Sequence, residues 1–145
     1  MATSIRESAM NYLARREHSR LELEKKLAGK GLDKKEISVA LDRLMTDGLL
    51  SDARFAESFV NARIQRGNGP VKIQAELKQR GVDDVIISQY LNLPEADWYE
   101  QARQVRCKRF GEILPGEFEQ RIRQTRFLQQ RGFTHEQINR ALKVD

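Results

Sequence analysis

Few side chains in this sequence are of a type that makes or breaks bonds, and those few stand apart. His18 and His135 lie far from one another, with no ligand set beside either. A zinc site would need a grouping such as His-x3-His or Cys-x2-Cys, and neither occurs. His18 precedes a serine suited to capping a helix, and it reads as a surface residue. Cys107 is the single cysteine and belongs to no nucleophile motif, so it reads as a packing residue. Gly67-x-Gly69 is not followed by Gly-Lys-Ser/Thr and follows no strand pattern, which removes a phosphate loop. Gly29-Lys30-Gly31 falls at a helix end, whereas phosphates sit at helix starts. Glu22 and Glu24 point to different sides of a helix and read as solvated. Nucleophile, base and metal are not supplied together anywhere, so no catalysis, no cofactor and no metal are expected.

The remaining signal is positive charge. The chain has 26 Lys and Arg against 21 Asp and Glu, a net charge of +5 and a pI near 9.6. That balance modestly favours a polyanionic partner. The two signs are interleaved: 10 basic and 8 acidic residues over 1–50, 6 and 5 over 51–94, 10 and 8 over 95–145. There is no basic arm, and any one of these cations reads equally well as part of a solvated helix face.

Positioning such residues falls to helices, because the chain repeats a helical motif. Leu27-x-x-x-Gly31-Leu-Asp33 runs on to Ile37 and Leu41. Leu77-x-x-x-Gly81-Val-Asp83 runs on to Ile87 and Leu91, and Leu128-x-x-x-Gly132-Phe-Thr134 to Ile138 and Leu142. The period is about 50 residues, in the range of tandem supersecondary units. The glycine can adopt the left-handed conformation that ends a helix, and the apolar residue after it suits the contact that accompanies a Schellman ending. Asp or Thr then caps the next helix, and Ile and Leu four apart share its inner face. Each copy is therefore helix, tight turn, helix.

Further signals complete three units. Ser4 with Glu7, Ser19 with Glu22 and Thr134 with Gln137 have capping-box spacing. The first unit is three helices over roughly 4–47, with Ile37, Leu41, Leu44 and Met45 turned inward. Leu49 and Leu50 are expected to tuck against the neighbouring unit, and Ser51 or Asp52 to cap the next helix. Pro70 suits a first helical position, with Val71, Ile73 and Leu77 as the apolar side of its helix. A helix is expected from about Glu95 to Phe110, then a turn over Gly111 to Gly116, with Phe118, Ile122, Phe127 and Leu128 leading to Gly132. The fold class is all-α: nine helices, no strand, in an elongated array of three tandem three-helix, helix-turn-helix-like repeats over 1–50, 51–94 and 95–145. No apolar run approaches the roughly 18 residues of a membrane helix. The N-terminal Met1-Ala-Thr-Ser-Ile-Arg-Glu-Ser lacks the basic start and apolar core of a signal peptide, and with one cysteine the expectation is cytoplasmic.

Between the first and second copies stand Asp52-x-Arg54-Phe55-Ala56, Arg63, and Arg66-Gly67-x-Gly69-Pro70-x-x-Ile73-x-x-Glu76-Leu77-x-x-x-Gly81. With His18-Ser19-x-x-Glu22-Leu23-x-x-Lys26-Leu27, Leu41-x-x-Leu44 and Gly48-Leu49-Leu50, these motifs resemble the RecX family of recombination regulators. The likeness covers nearly the whole chain and is most specific over 48–81. Ser51 departs from it, since many members carry a second acidic residue beside Asp52; either type can cap a helix. The resemblance implies a partner, the strand-exchange ATPase RecA, which polymerises on single-stranded DNA. It implies that the protein lies in the groove of the RecA filament as a monomer, blocks its extension, favours disassembly and depresses ATP hydrolysis and strand exchange.

The residue-level reading is compatible with that role. A repeat array presents a long face, and helices of 10–14 residues are roughly 15–21 Å long, so three units could reach on the order of 60 Å. Many weak contacts suffice over such a span. The candidate contacts are Arg15, Arg16, Arg20, Lys25 and Lys26 in the first unit, Arg63, Arg66, Lys72, Lys78 and Arg80 in the second, and Arg121, Arg123, Arg126 and Arg131 in the third. They flank the second helix of each repeat and are expected to form one stripe. Mixed charge suits a protein partner with single-stranded DNA nearby better than DNA alone. The alternative is a helix-turn-helix DNA-binding module reading duplex through Lys34 and Lys35, although Asp84 and His135 occupy the matching region of the other copies. A third reading is a structural adaptor that binds helices through exposed leucines. Weak, nonspecific, salt-sensitive DNA affinity is expected in any case.

Overall fold

The computed structural model describes residues 4–143; Met1 to Thr3, the first residues of the leader reading, lie outside them. The described residues form nine α-helices and no strand: α1 (Ile5–Arg15), α2 (Arg20–Gly29), α3 (Lys34–Thr46), α4 (Asp52–Gln65), α5 (Pro70–Gln79), α6 (Asp84–Leu91), α7 (Glu95–Phe110), α8 (Phe118–Gln130) and α9 (His135–Ala141). No helix among them is long and apolar enough to cross a membrane. The chain divides into two compact units, Met1–Phe59 with Leu77–Ile87, and Val60–Glu76 with Ser88–Asp145. This division runs through the second of the three sequence repeats.

Helix starts follow the capping residues. Ser4 Oγ accepts from the backbone N–H of Glu7. Ser19 and Glu22 complete a reciprocal capping box, as do Thr134 and Gln137. One Asp33 oxygen accepts from the backbone N–H groups of Lys35 and Glu36. Pro70 is the first residue of α5. The turn glycines Gly31, Gly81 and Gly132 all have positive φ, of 83°, 77° and 96°.

In the first unit, α1, α2 and α3 pack on one another around Ala9, Leu23, Leu27, Ile37, Leu41, Leu44 and Leu50. Ile5, Met10, Tyr12, Leu13 and Leu32 are partly buried against that core. After α3 the backbone N–H groups of Leu49 and Leu50 both point back to the carbonyl of Leu44. This tight ending sends the adjacent leucines opposite ways. Leu50 enters the core, while Leu49 stays 39% exposed, against the expectation that both would be covered. Met45 follows Leu44 by one residue, about 100° round the helix, and is 40% exposed rather than inward.

In the second unit α7 packs on α8 and α9. Trp98, Ala102, Leu128, Phe133, Ile138, Ala141 and Leu142 are buried there. Arg106 is also buried, and its guanidinium donates to the carbonyls of Gly111, Glu112 and Ile113, which holds the chain leaving α7. Two apolar residues at helix starts lie outside, Val71 against the expectation that it would belong to the apolar side of α5. Val71, one residue after Pro70, is 53% exposed, and Phe118, the first residue of α8, is 76% exposed. At a helix start no preceding turn extends the face that would cover them.

Candidate partner-binding surface

The predicted contact residues follow two fates, decided by the carboxylates and rings around them. At the α1–α2 junction Arg16 forms a bidentate pair with Glu22, at 3.1 and 3.2 Å. The same carboxylate takes the backbone N–H of Ser19 at 3.1 Å, and Arg80 approaches it at 3.7 Å. Glu22 is thus a half-buried hub, with a side chain 16% exposed, and not the solvated acid expected from its place on the helix. Burial alone would raise its carboxyl pKa, but hydrogen bonds from Arg16 and the Ser19 N–H hold it below the ordinary 4.5. Arg20 binds Glu24 at 2.9 Å and Asp42 at 2.5 Å, with further bonds to Ser38. Its backbone N–H goes to Asp52 Oδ1 at 2.8 Å, whereas Ser51 Oγ accepts from the N–H of Arg54. Ser51 therefore caps α4, and Asp52 serves the start of α2.

His18 is buried, contrary to the sequence reading. The carbonyl of Arg16, 3.0 Å away, can only accept, so Nδ1–H donates to it. The ammonium of Lys26, 2.7 Å from Nε2, can only donate, so that nitrogen accepts. Both ring nitrogens are satisfied, one by the carbonyl of the turn and the other by Lys26 of α2. The tautomer is fixed and neutral, and burial pushes the imidazole below its usual 6.5. Tyr12 lies beside the ring at 5.8 Å, with the ammonium groups of Lys26 and Lys30 each 4.9 Å from the Tyr12 centroid. Lys78 pairs loosely with Asp84 at 3.7 Å, and Arg80 stacks on Phe59 at 4.8 Å. In this unit Arg15 and Lys25 are the exposed candidates with no ion pair to another of the described residues.

The second unit treats its cations differently. Arg63 is paired with Glu76 at 3.1 Å. The Arg66-Gly67-Asn68-Gly69-Pro70 link is folded tightly on itself and on the end of α8. Gly67 has φ 87°, and the backbone N–H and side-chain amide of Asn68 both reach the carbonyl of Arg63. Gly69 N–H donates to the carbonyl of Arg131 at 2.7 Å and Val71 N–H to that of Gly132 at 2.9 Å. A Cβ on Gly69 would lie 2.6 Å from backbone atoms of Gly132 and Phe133, so no side chain fits there. Arg131 Nη1 in turn donates to the carbonyl of Arg66 at 3.1 Å. The spacing of these glycines thus serves backbone docking, and it fixes Arg66 beside Arg131.

These two arginines line a cleft of about 430 Å³ with Lys108 and Arg109 from the end of α7. Ile64, Val105 and Phe127 supply its apolar part. Arg131 and Arg109 lie 5.2 and 5.9 Å from the Phe127 centroid, and Phe110 meets the same ring edge-on at 5.4 Å. Arg109 and Phe127 also line a second cavity, with Arg123 and Arg126 of α8. Arg121 and Lys72 are exposed on their helices. The sequence reading missed Lys108 and Arg109. Their one local signal, two cations before an aromatic residue in a last helical turn, is common on surfaces. Among the described residues no group of three or more His, Cys, Asp or Glu side chains could hold a metal ion.

Comparison with known proteins gives this geometry a lineage. Models of the RecX domains match in order: the first three-helix domain over residues 6–44, the second over 51–91 and the third over 95–142. A regulatory protein RecX from Halorhodospira halophila is 48% identical over 138 residues, 95% of this chain and 86% of that protein. Another from Pseudomonas savastanoi pv. phaseolicola is 44% identical over 139 residues, 96% of this chain and 90% of that protein. The crystal structure of RecX from Lactobacillus salivarius shares the fold, with a TM-score of 0.78 at 24% identity over 94% of this chain and 91% of its own. With family domains matched in succession along its helices, the chain belongs to the RecX family.

Proposed function

We propose that this protein is a non-enzymatic regulator that inhibits RecA by binding in the groove of the RecA–single-stranded DNA filament. The observation that carries the proposal is the match to all three RecX domains along the chain. The arrangement of side chains is compatible with it: the described residues offer surface cations and no grouping of nucleophile and base. The protein would act in the cytoplasm as a monomer, through many weak contacts on neighbouring RecA subunits. Such contacts add by effective concentration rather than by individual strength. The groove contacts are drawn from the predicted set, led by Arg15 and Lys25 in the first unit and by Lys72, Arg121, Arg123 and Arg126 in the second. Holding adjacent subunits in one arrangement would limit filament extension, ATP turnover and strand exchange together. The direct test is RecA's DNA-dependent ATPase with the protein added at stoichiometric amounts. A fall in turnover, with shortened filaments in electron micrographs, is expected; unchanged turnover and length would refute the reading.

A further inference from the structure

We infer that the paired cavities at α7 and α8 are a seat for single-stranded nucleic acid, in which phosphates meet the rim and an unstacked base meets the floor. The first cavity carries Arg66, Lys108, Arg109 and Arg131 and no carboxylate. In a chain where acids and bases are interleaved, such a lining is a local exception. In the first unit Arg16 and Arg20 sit on carboxylates within hydrogen-bond distance. Here Arg131 turns to a carbonyl and a ring. Arg109 and Arg131 lie over Phe127, and a guanidinium carries five N–H donors, so Arg131 keeps others beside the one given to the Arg66 carbonyl; such edges form the fork that fits phosphate oxygens.

The track continues past the first cavity. Arg109 and Phe127 are shared with the second, where Arg123 and Arg126 lie three apart on α8, on one face. Glu119 is the one acid lining it, on the first turn of that helix. A volume of about 430 Å³ with an Ile64, Val105 and Phe127 floor admits a nucleotide-sized group. Duplex DNA keeps its bases stacked and could use only the rim. A single strand can use both rim and floor, the combination by which positively charged grooves with aromatic platforms hold unpaired strands. An acidic peptide would satisfy the cations but supplies no flat group for the floor.

The docked backbone around Gly69 and Gly132 holds the Arg66 main chain, and through its carbonyl the Arg131 guanidinium, in place before any ligand arrives, which reduces the ordering needed on binding. This inference goes beyond the RecA reading and does not require it. The cleft could bind a strand while RecA turnover is unaffected, or the reverse.

The test uses the full chain and a fluorescent oligothymidylate of about 20 nucleotides, with anisotropy measured over a salt series. The variant Arg66→Gln, Lys108→Gln, Arg109→Gln is compared with Arg6→Gln, Lys30→Gln, Arg43→Gln, which removes the same charge from exposed positions of the first unit. The cleft variant should bind about tenfold or more weakly, and its slope of log affinity against log salt should fall by about 2. The control should change by less than about twofold. Equal loss in both variants would overturn the inference, as would tighter binding of polyglutamate than of the oligonucleotide to the unaltered chain. A second measurement needs no variant: photo-crosslinking of an oligonucleotide carrying 4-thiothymidine. Adducts on residues 64–67 or 101–131 are expected, and adducts confined to residues 4–59 would overturn the assignment.

Discussion

The turn that closes α2 and the turn that closes α8 are copies of one motif, yet they do different work. At Gly31 an added Cβ would have nothing within 4 Å. Lys30 just before it lies over Tyr12, and Lys26, five residues before it, turns inward to His18 and the same ring. At Gly132 an added Cβ would lie 2.7 Å from the backbone nitrogen of Lys72, and Arg131 just before it turns to the carbonyl of Arg66 and the Phe127 ring. The first copy ends a helix and satisfies its own core. The third ends a helix and also docks the Gly67–Gly69 link, which builds one wall of the basic cleft. The same local code takes its function from its neighbours.

The strongest way to break this comparison is to place a side chain at each turn. Gly31→Ala meets only the cost of a left-handed conformation, about 1 kcal/mol. Gly132→Ala meets that cost and a backbone collision, together about 4 kcal/mol. Urea midpoints should separate the two variants clearly; similar values would mean that the docking adds nothing. Next in size is Glu22→Gln, which leaves Arg16 and Arg80 facing a neutral amide inside a half-buried cluster and should lose about 2 kcal/mol. Arg66→Gln, by contrast, removes an exposed side chain and should stay within about 0.5 kcal/mol. Equal losses would show that the surface cations of the second unit are structural too.

A smaller effect is expected from pH. Burial keeps His18 neutral, so as pH falls the unfolded chain protonates this imidazole first, beginning near 6.5. Stability present above that value should decline toward pH 5. Glu22, whose carboxyl is held below 4.5, adds its own loss only below about that pH. Thermal melts at about pH 7.5 and about pH 5.5 should therefore converge less for the unaltered chain than for His18→Gln. If both proteins shift by the same amount, His18 is not the titrating group.

The helix boundaries were largely legible because they are written in short-range chemistry. Ser19 with Glu22, Thr134 with Gln137, and Pro70 each fix a start through atoms within one turn. Exposure was less legible at element ends. Met45, Leu49, Val71 and Phe118 carry the right residue type, but each lies where a helix begins or stops, and periodicity cannot say which side a neighbour covers. His18 misled for a related reason: its burial depends on Lys26, a full two turns into the next helix. The candidate cations were named by residue type alone, while Lys108 and Arg109 gave no such signal because only packing against α8 and the 64–67 link gives them a shared cavity.

The sequence by itself determined an all-helical chain, the three glycine turns with positive φ and most of the caps, since each depends on backbone sterics or hydrogen bonds over a few residues. The tertiary structure decided which cations meet carboxylates and which are left to face a cleft. That choice depends on residues far apart in the chain, such as Arg20 with Asp42 or Arg131 with Arg66, and charge on a helix face carries no record of what will be packed opposite it.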